Sequence, residues 1–377
     1  MSPFDITRAQ PNAWSILSRS FKSGRVSSTY LFTGEQGLGH WSLAVEFAAL
    51  LNCLDPQATG DASAPVMPCR VCRHCRTVYD LNFEGLQIVV PVPPHKKLEE
   101  AIDSTSETIA EKKAEPFKRL TSAANVSIPI DMAREVAKRL SRKSSDGITR
   151  IVLFYQMEKM RTSSADALLK LIEEPPPDTV LILTAERPEM LLPTIQSRSQ
   201  KVRLRRLPDS LIAEYLVEKY ELSQTRATLI ARLSQGVPGR AIDLTDTEDE
   251  DSTSRRAVGM LLFKSLFRDP GWSVISQMQD MVNLSNRGEV TEMLNLWQLL
   301  LRDAHYYAAT GEESELVNVD FAPELKQLSP ALSDPQIAGQ MVQSIKNTLA
   351  DSARNVHIQT ALAALSLKLI AIVRTAG

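Results

Sequence analysis

Short apolar runs alternate with amphipathic stretches over the first 205 residues, and this alternation restricts the chain to few folds. The runs are rich in Leu and β-branched residues, as strands buried on both faces are. They lie at residues 29–32, 86–90, 150–155, 179–184 and 201–204. Helical patterns separate them, notably at 43–51, 131–140 and 163–172. Strand and helix in alternation predict an α/β domain, with a parallel sheet covered on both sides.

Only helical patterns follow residue 205. Residues 206–245 predict a small helical domain, and the acidic run 246–251 is too charged to pack and predicts a linker. Residues 253–377 carry helical apolar spacing and predict an all-α bundle. Its apolar stripes at 296–301 and 358–369 can form either an internal core or an interface with another subunit. The sequence therefore predicts three domains, at 1–205, 206–245 and 253–377.

Charge and hydropathy exclude several classes of protein. The chain has 43 Lys and Arg against 45 Asp and Glu, so contact with nucleic acid needs a local basic patch rather than bulk attraction. No apolar run reaches the roughly 18 to 20 residues that a membrane span requires. Met1–Gln10 has no hydrophobic core of a secretory signal. We therefore expect a cytoplasmic protein.

A glycine-rich loop follows the first predicted strand and opens a helix. Gly34, Gly37 and Gly39 have the spacing of a phosphate-binding loop, or P-loop, whose backbone N–H groups hold phosphates at a helix N-terminus. A working loop continues with Lys and Ser or Thr, but His40 and Trp41 stand here. An imidazole is mostly neutral at pH 7 and an indole has no oxygen for Mg²⁺. The pattern predicts a degenerate P-loop kept as a backbone turn; weak nucleotide binding without hydrolysis stays open.

The second half of such a site is an acidic pair at the end of a buried strand. Tyr155 and Gln156 occupy that place after the strand at 150–154. Without a carboxylate there, Mg²⁺ has no anchor and an attacking water has no base. We therefore expect this chain to hydrolyse no ATP and to have no independent catalytic activity.

All four cysteines fall near one another in the sequence. Cys69, Cys72 and Cys75 are spaced by two residues, and Cys53 precedes Cys69 by a loop of fifteen residues. Thiolates at this spacing surround one tetrahedral ion, which predicts one structural zinc in a module at about 53–76. The length of the loop leaves the place of Cys53 in the ligand set open. His74 is a competing ligand, and the alternatives to zinc are four free thiols or a redox pair at Cys69 and Cys72.

Three motifs follow in order at 171–176 (Leu-Ile-Glu-Glu-Pro-Pro), 183–188 (Leu-Thr-Ala-Glu-Arg-Pro) and 197–199 (Ser-Arg-Ser). The series resembles the clamp-loader branch of the AAA+ ATPases, where a helix ending in Leu-Glu-Glu-Pro-Pro precedes a sensor strand and a Ser-Arg-Cys motif. The cysteine module after the P-loop helix resembles that of bacterial clamp loaders. The resemblance covers about residues 10–245. It implies an AAA+-like α/β P-loop domain, a helical lid at 206–245 and a C-terminal oligomerisation collar at 253–377.

Within that branch, a degenerate P-loop with a retained Ser-Arg motif resembles the delta-prime subunits of bacterial DNA polymerase III. The resemblance implies a five-subunit loader around primer–template DNA, with gamma/tau and delta subunits as partners and the sliding clamp as an indirect one. Such a complex loads the clamp during replication at the expense of ATP, in the cytoplasm at the nucleoid-associated replisome. The alternatives are a gamma/tau-type ATPase, and a zinc-containing DNA-binding module with a vestigial nucleotide fold.

The resemblance assigns roles to individual residues. Arg198 is implied to be an arginine finger that acts in trans on the ATP of a neighbouring subunit, where a guanidinium stabilises γ-phosphate charge. The alternative for Arg198 is a surface salt bridge. Ser199 stands where the family has Cys. Thr184 and Arg240 stand at the first and second sensor positions, with a strand-end hydroxyl and a lid-helix residue as the respective alternatives.

Two further segments carry weaker signals. Helix 163–172, preceded by Arg161 and Thr162, resembles the segment that faces DNA inside the ring, with ordinary surface exposure as the alternative. Residues 96–119 carry six acidic and six basic residues and few large apolar ones. That composition predicts a solvated helix inserted between strands, to which we assign no chemistry.

Overall fold

The computed structural model describes residues 5–58, 64–94, 98–120, 126–140, 147–160, 169, 171–246, 250–268, 287–353 and 358–375. The chain divides into two compact units, Met1–Leu244 and Thr245–Gly377. The finer division into domains at 1–205, 206–245 and 253–377 stays a prediction. No helix in the described ranges combines the length and apolar character of a membrane span.

A five-stranded parallel sheet forms the centre of the first unit. The strands of this unit are β1 (Thr29–Thr33), β2 (Gln57–Ala58), β3 (Val66–Met67), β4 (Leu86–Val89), β5 (Arg150–Phe154), β6 (Thr179–Ala185) and β7 (Gln200–Arg203). Five of them pair in the order β4-β5-β6-β1-β7, and every pairing is parallel. The five strands predicted from the sequence are confirmed. The short strands β2 and β3 form a separate antiparallel pair.

Ten helices of the first unit are described. They are α1 (Ile6–Ala9), α2 (Pro11–Lys22), α3 (His40–Leu51), α4 (Arg73–Tyr79), α5 (Leu98–Ala114), α6 (Ile130–Leu140), α7 (Pro193–Arg198), α8 (Asp209–Tyr220), α9 (Gln224–Leu233) and α10 (Pro238–Asp246). Short 3₁₀ turns lie at Met157–Lys159 and Pro188–Met190. Of the predicted DNA-facing helix, positions 169, 171 and 172 are helical, whereas Arg161 and Thr162 lie outside the described residues.

Burial explains why the central strands are continuous apolar runs. All seven residues of β6 are buried, and this strand lies between β5 and β1 in the sheet. Parallel strands present their carboxyl ends at one edge of the sheet. The ends of β1, β5 and β6 therefore bring the glycine loop, Tyr155 and Thr184 to the same edge.

The described residues of the second unit are mostly helical, which confirms the predicted bundle. Its helices are α11 (Glu250–Arg268), α12 (Arg287–Thr310), α13 (Ala322–Leu328), α14 (Pro335–Ala353) and α15 (Ile358–Thr375), with 3₁₀ turns at Val319–Phe321 and Ser329–Leu332. The stripe at 296–301 forms internal core: Trp297 is fully buried and its Nε1 donates to the Gly259 carbonyl at 2.8 Å. The apolar residues of α15 differ in exposure: Leu365 is buried, whereas Leu367 is 57% exposed.

The charged stretch at 96–119 is helical as predicted, but it is not simply solvated. Ala101 and Lys112 of α5 have no exposed surface, and Phe117 just beyond the helix is 1% exposed. The interpretation of a solvated helix is therefore wrong for this side of the segment. Because the segment is rich in charged residues, its sequence did not indicate that one face packs against the rest of the unit.

Candidate functional site

The glycine loop between β1 and α3 has the conformation that only glycine adopts readily. Gly34, Gly37 and Gly39 have φ values of 146°, 95° and 102°. A Cβ on Gly37 would lie 2.9 Å from the Cα of Gly239, and a Cβ on Gly39 would lie 2.7 Å from Cε1 of Phe117. Other segments of the chain therefore pack closely against the loop, where only glycine fits without strain.

The two residues that replace the Lys and Ser or Thr of a P-loop are both buried. His40 is 4% exposed and Trp41 is 2% exposed. Burial, with a smaller contribution from the Lys112 ammonium, lowers the pKa of His40 to about 3, so its imidazole is neutral at pH 7. Its Nε2 is buried without a hydrogen-bond partner among the described residues. Trp41 packs edge to face on Tyr155, with ring centroids 5.7 Å apart.

The end of β5 holds no acidic pair. Tyr155 is buried, and burial raises the pKa of its hydroxyl. Gln156 has a φ of 56°, and its N–H donates to Oγ1 of Thr184 at 2.9 Å. The first-sensor position is therefore used to hold the backbone turn after β5. This contact fits the strand-end role that the sequence left open for Thr184.

Two ionisable groups near this edge, Lys112, which is buried, and Glu158, which is half-buried, were missed by the sequence reasoning. Lys112 of α5 places its Nζ 4.9 Å from the ring centroid of Tyr155 and donates to the carbonyls of Pro116 and Lys118. Burial lowers the pKa of Lys112 to about 7. Glu158 accepts from the N–H of Glu186 at 3.1 Å, and burial raises its pKa.

Lys112 gave no local signal in the sequence, because it lies in a charged helix. Glu158, three positions beyond Tyr155, could have been singled out as a carboxylate just after the strand. Its Oε2 is buried without a hydrogen-bond partner among the described residues.

Arg240, at the predicted second-sensor position, lies near the glycine loop. Its guanidinium forms an ion pair with Glu35 of the loop, and Arg206 binds the same carboxylate at 2.9 Å. Burial lowers the pKa of Arg240. The structure thus brings Arg240 to the glycine loop, where its guanidinium is paired with an acidic side chain of the same chain.

The four cysteines converge on one point. The Sγ atoms of Cys53, Cys69, Cys72 and Cys75 all lie within 4.8 Å of one another, and none is in a disulfide. Tetrahedral coordination with Zn–S bonds of about 2.3 Å places ligand sulfurs about 3.8 Å apart. The Sγ atoms of Cys69 and Cys75 are 3.9 Å apart. The four thiols therefore could hold one metal ion, and Cys53 belongs to the cluster.

Backbone N–H groups donate hydrogen bonds to the cysteine sulfurs. Cys69 N–H donates to Sγ of Cys53 at 3.2 Å, and Cys72 N–H donates to Sγ of Cys69 at 3.3 Å. Hydrogen bonds lower the pKa of Cys72 to about 6 although partial burial opposes them. His74 is not a member of this group, and its Nδ1–H donates to the Asn52 carbonyl at 2.9 Å.

An ion pair attaches the cysteine module to α3. Arg70 lies between Cys69 and Cys72, and its Nη2 binds the buried carboxylate of Glu46 at 2.7 Å. Tyr79 of α4 donates to the second oxygen of Glu46 at 2.9 Å. The module and the P-loop helix therefore share one buried charge pair.

Arg198 is the last residue of α7 and is half exposed. Its Nη2 lies 3.1 Å from Oε1 of Glu173, which is also solvent-accessible. Ser199 donates to the Ile195 carbonyl at 2.7 Å, which holds the end of the helix in place. The described ion pair of Arg198 is with the Glu-Glu-Pro-Pro segment. The glycine loop instead contacts α10, where Gly239 N–H donates to the Gly37 carbonyl.

Known proteins resemble this chain over most of its length. A family model described as "DNA polymerase III, delta subunit" matches residues 9–208, more than half of the chain. The delta′ subunit of DNA polymerase III from Bacillus subtilis is 24% identical over 339 residues, 90% of this chain and 89% of that protein. The Escherichia coli delta′ subunit is 24% identical over 85% of this chain and 82% of that protein.

Other relatives are gamma/tau subunits. The tau subunit of DNA polymerase III from Salmonella typhimurium is 24% identical over 92% of this chain but only 47% of its own length. Among solved structures, a gamma subunit-related protein from Thermotoga maritima aligns with 95% of this chain and 98% of its own, with a TM-score of 0.43 and 15% identity. The family match and the delta′ relatives together establish that the chain belongs to the DNA polymerase III delta subunit family and is of the delta′ type.

Proposed function

We propose that this protein is a catalytically silent AAA+ subunit of a bacterial DNA polymerase III clamp loader. It assembles with gamma/tau and delta subunits, acts in the cytoplasm at the replisome, and supports ATP-dependent loading of the sliding clamp on primed DNA. Its contribution to chemistry is Arg198, which completes the ATP site of a neighbouring subunit. The delta′ relatives carry the subunit assignment, and the site geometry supports the finer roles.

The state of the degenerate P-loop supports catalytic silence. A P-loop Lys reaches the β/γ-phosphates and a strand-end carboxylate holds Mg²⁺, but position 40 holds a buried neutral imidazole and positions 155 and 156 hold Tyr and Gln. A gamma/tau-type ATPase would need both groups. A zinc-containing DNA-binding module would not explain the delta′ likeness over 90% of the chain.

The surroundings of Arg198 support a role in trans. An exposed ion pair such as that with Glu173 contributes only about 0 to 1 kcal/mol to the stability of the fold. The Arg198 guanidinium can therefore leave Glu173 and bind a more highly charged anion. The γ-phosphate of a neighbouring subunit's ATP is such an anion, and the short helix α7 presents Arg198 at its end.

Exposed apolar residues of the second unit support its role as the collar. Leu261 of α11 is 66% exposed, and Val258, one turn earlier on the same helix, is also exposed. Leu367 of α15 is a third exposed apolar residue. Exposed apolar side chains grouped on helices are typical of subunit contacts. We assign the contacts with partner subunits to this bundle and the structural zinc to the four cysteines.

The test is ATP hydrolysis by a reconstituted loader that contains Arg198→Ala. A trans arginine contributes about 10³-fold or more to turnover at the site that it completes, so hydrolysis should fall while assembly persists. Arg139→Ala is the matched control, because Arg139 is a similarly exposed arginine that pairs with Glu135. Unchanged hydrolysis with Arg198→Ala would remove the trans role, and hydrolysis by the isolated chain would contradict silence.

A further inference from the structure

Residues 98–119, which we call the strut, comprise α5 and the turn that follows it. We propose that the strut is a built-in occupant of the cleft between the glycine loop and the lid helices α8–α10. In that place it holds the lid against the loop without any nucleotide. This inference concerns the isolated chain and does not depend on the role proposed for Arg198.

The strut first fills the space beside the glycine loop. Phe117 is 1% exposed, and its ring stands where any side chain at position 39 would point. Cγ of Arg119 lies 3.1 Å from the place of a Cβ on Gly37. The start of α3, where a P-loop offers its N–H groups to phosphate, is therefore covered by the chain itself.

The other side of the strut contacts the lid. Phe117 packs against the ring of Tyr215 in α8, with centroids 5.9 Å apart. Glu115 accepts a hydrogen bond from the Tyr220 hydroxyl at 2.9 Å and forms an ion pair with Lys219. Apolar and charged contacts thus join the same turn of the strut to one lid helix.

The end of the strut reaches α10. Nε of Arg119 lies 2.5 Å from Oδ2 of Asp243. A Cβ on Gly239 would lie 2.6 Å from the carbonyl oxygen of Phe117, so α10 approaches the strut closely at its first turn. The strut therefore touches both the first and the last helix of the lid.

The lid also meets the glycine loop directly. Gly239 N–H donates to the Gly37 carbonyl at 3.1 Å. The Glu35 carboxylate lies between the guanidinium groups of Arg240 and Arg206 and binds both. An anionic ligand would use the same guanidinium groups, so Glu35 supplies from within the chain the negative charge that such a ligand would bring. Contacts within the chain itself therefore hold the lid against the strut and the glycine loop.

Hydrogen exchange of the full-length chain tests this proposal. In the wild-type protein, millimolar MgATP should leave amide exchange unchanged in residues 34–40 and in the lid. Arg119→Ala should raise exchange in α10 by about tenfold or more, because a half-buried charge-assisted contact is lost. Lys113→Ala is the matched control on the same helix, since Lys113 pairs with Asp80 and has no described contact with the lid. It should leave α10 unchanged.

Phe117→Leu is a second variant, which keeps most of the buried volume and removes the contact between aromatic rings. It should raise exchange in α8. Slower exchange in residues 34–40 of the wild-type protein with MgATP would overturn the proposal, as would unchanged lid exchange in both strut variants. Neither result bears on ATP turnover by the assembled loader, so the two proposals fail separately.

Discussion

Replacing His40 with lysine restores the residue that a working P-loop has, yet we expect the variant to lose stability and to gain no ATP binding. Position 40 is buried at the start of α3, and the ammonium of Lys112 is near enough to depress the pKa of His40. A second lysine would bury a like charge beside the first. The sequence alone suggests a repair of the loop, whereas the structure predicts a destabilised fold.

The size of the effect follows from the lysine pKa. A buried lysine can avoid its charge by losing a proton, and for a pKa of about 10.4 this costs about 4.6 kcal/mol at pH 7. That figure is an upper limit on the charge penalty. Lys112, whose pKa burial lowers to about 7, shows that the cleft disfavours an ammonium to a similar extent.

The penalty depends on pH with a definite sign. The pKa of a lysine at position 40 would be lower in the folded than in the unfolded chain, so the unfolded chain binds more protons between the two values. Stability therefore rises with pH in that window. Between pH 7 and pH 9 the penalty should shrink by about 1.4 kcal/mol per pH unit.

Urea unfolding of His40→Lys and His40→Met at pH 7, 8 and 9 measures this directly. Methionine matches the unbranched chain of lysine but carries no charge. The lysine variant should be about 3 to 4.6 kcal/mol less stable than the methionine variant at pH 7, with a gap that narrows as pH rises. Equal stabilities at pH 7, a gap that does not narrow, or MgATP binding by His40→Lys in calorimetry would refute the reasoning.

Two further predictions concern the cysteine module. Elemental analysis should find about one zinc per chain, and removal by a strong chelator should lower the melting temperature; a metal-free protein that melts at the same temperature would contradict this. Arg70→Met should cost about 3 to 5 kcal/mol, because it leaves the buried Glu46 carboxylate without its cation. Adding Glu46→Gln to that variant should recover part of the loss in urea unfolding, and no recovery would show that Arg70 acts through other contacts.

Much of the fold could be predicted from local patterns. The run at 179–184 is apolar without alternation, and only a strand covered on both faces is stable with such a composition. The spacing of Cys69, Cys72 and Cys75 likewise predicts a shared ion from neighbours in the sequence. The replacement of a P-loop Lys by His40 could be recognised because the glycines around it set the frame of the motif.

Other features depended on contacts between distant parts of the chain. Lys112 lies in a stretch that looks solvated, and its burial follows only from which face of α5 meets the glycine loop some seventy residues earlier. The same holds for Cys53, which the fold returns to the cluster across a long loop, and for Glu35, whose partners Arg206 and Arg240 lie far along the chain.

The sequence by itself determined the strand and helix pattern, three of the four candidate metal ligands and the side chains that follow the glycine loop at positions 40 and 41. Each of these is carried by residues a few positions apart, where backbone periodicity sets the spacing. Only the tertiary structure decided that the strut contacts both the glycine loop and helices α8 and α10. That outcome depends on the complementary shapes and charges of Phe117, Arg119 and the lid, which meet only when the elements pack.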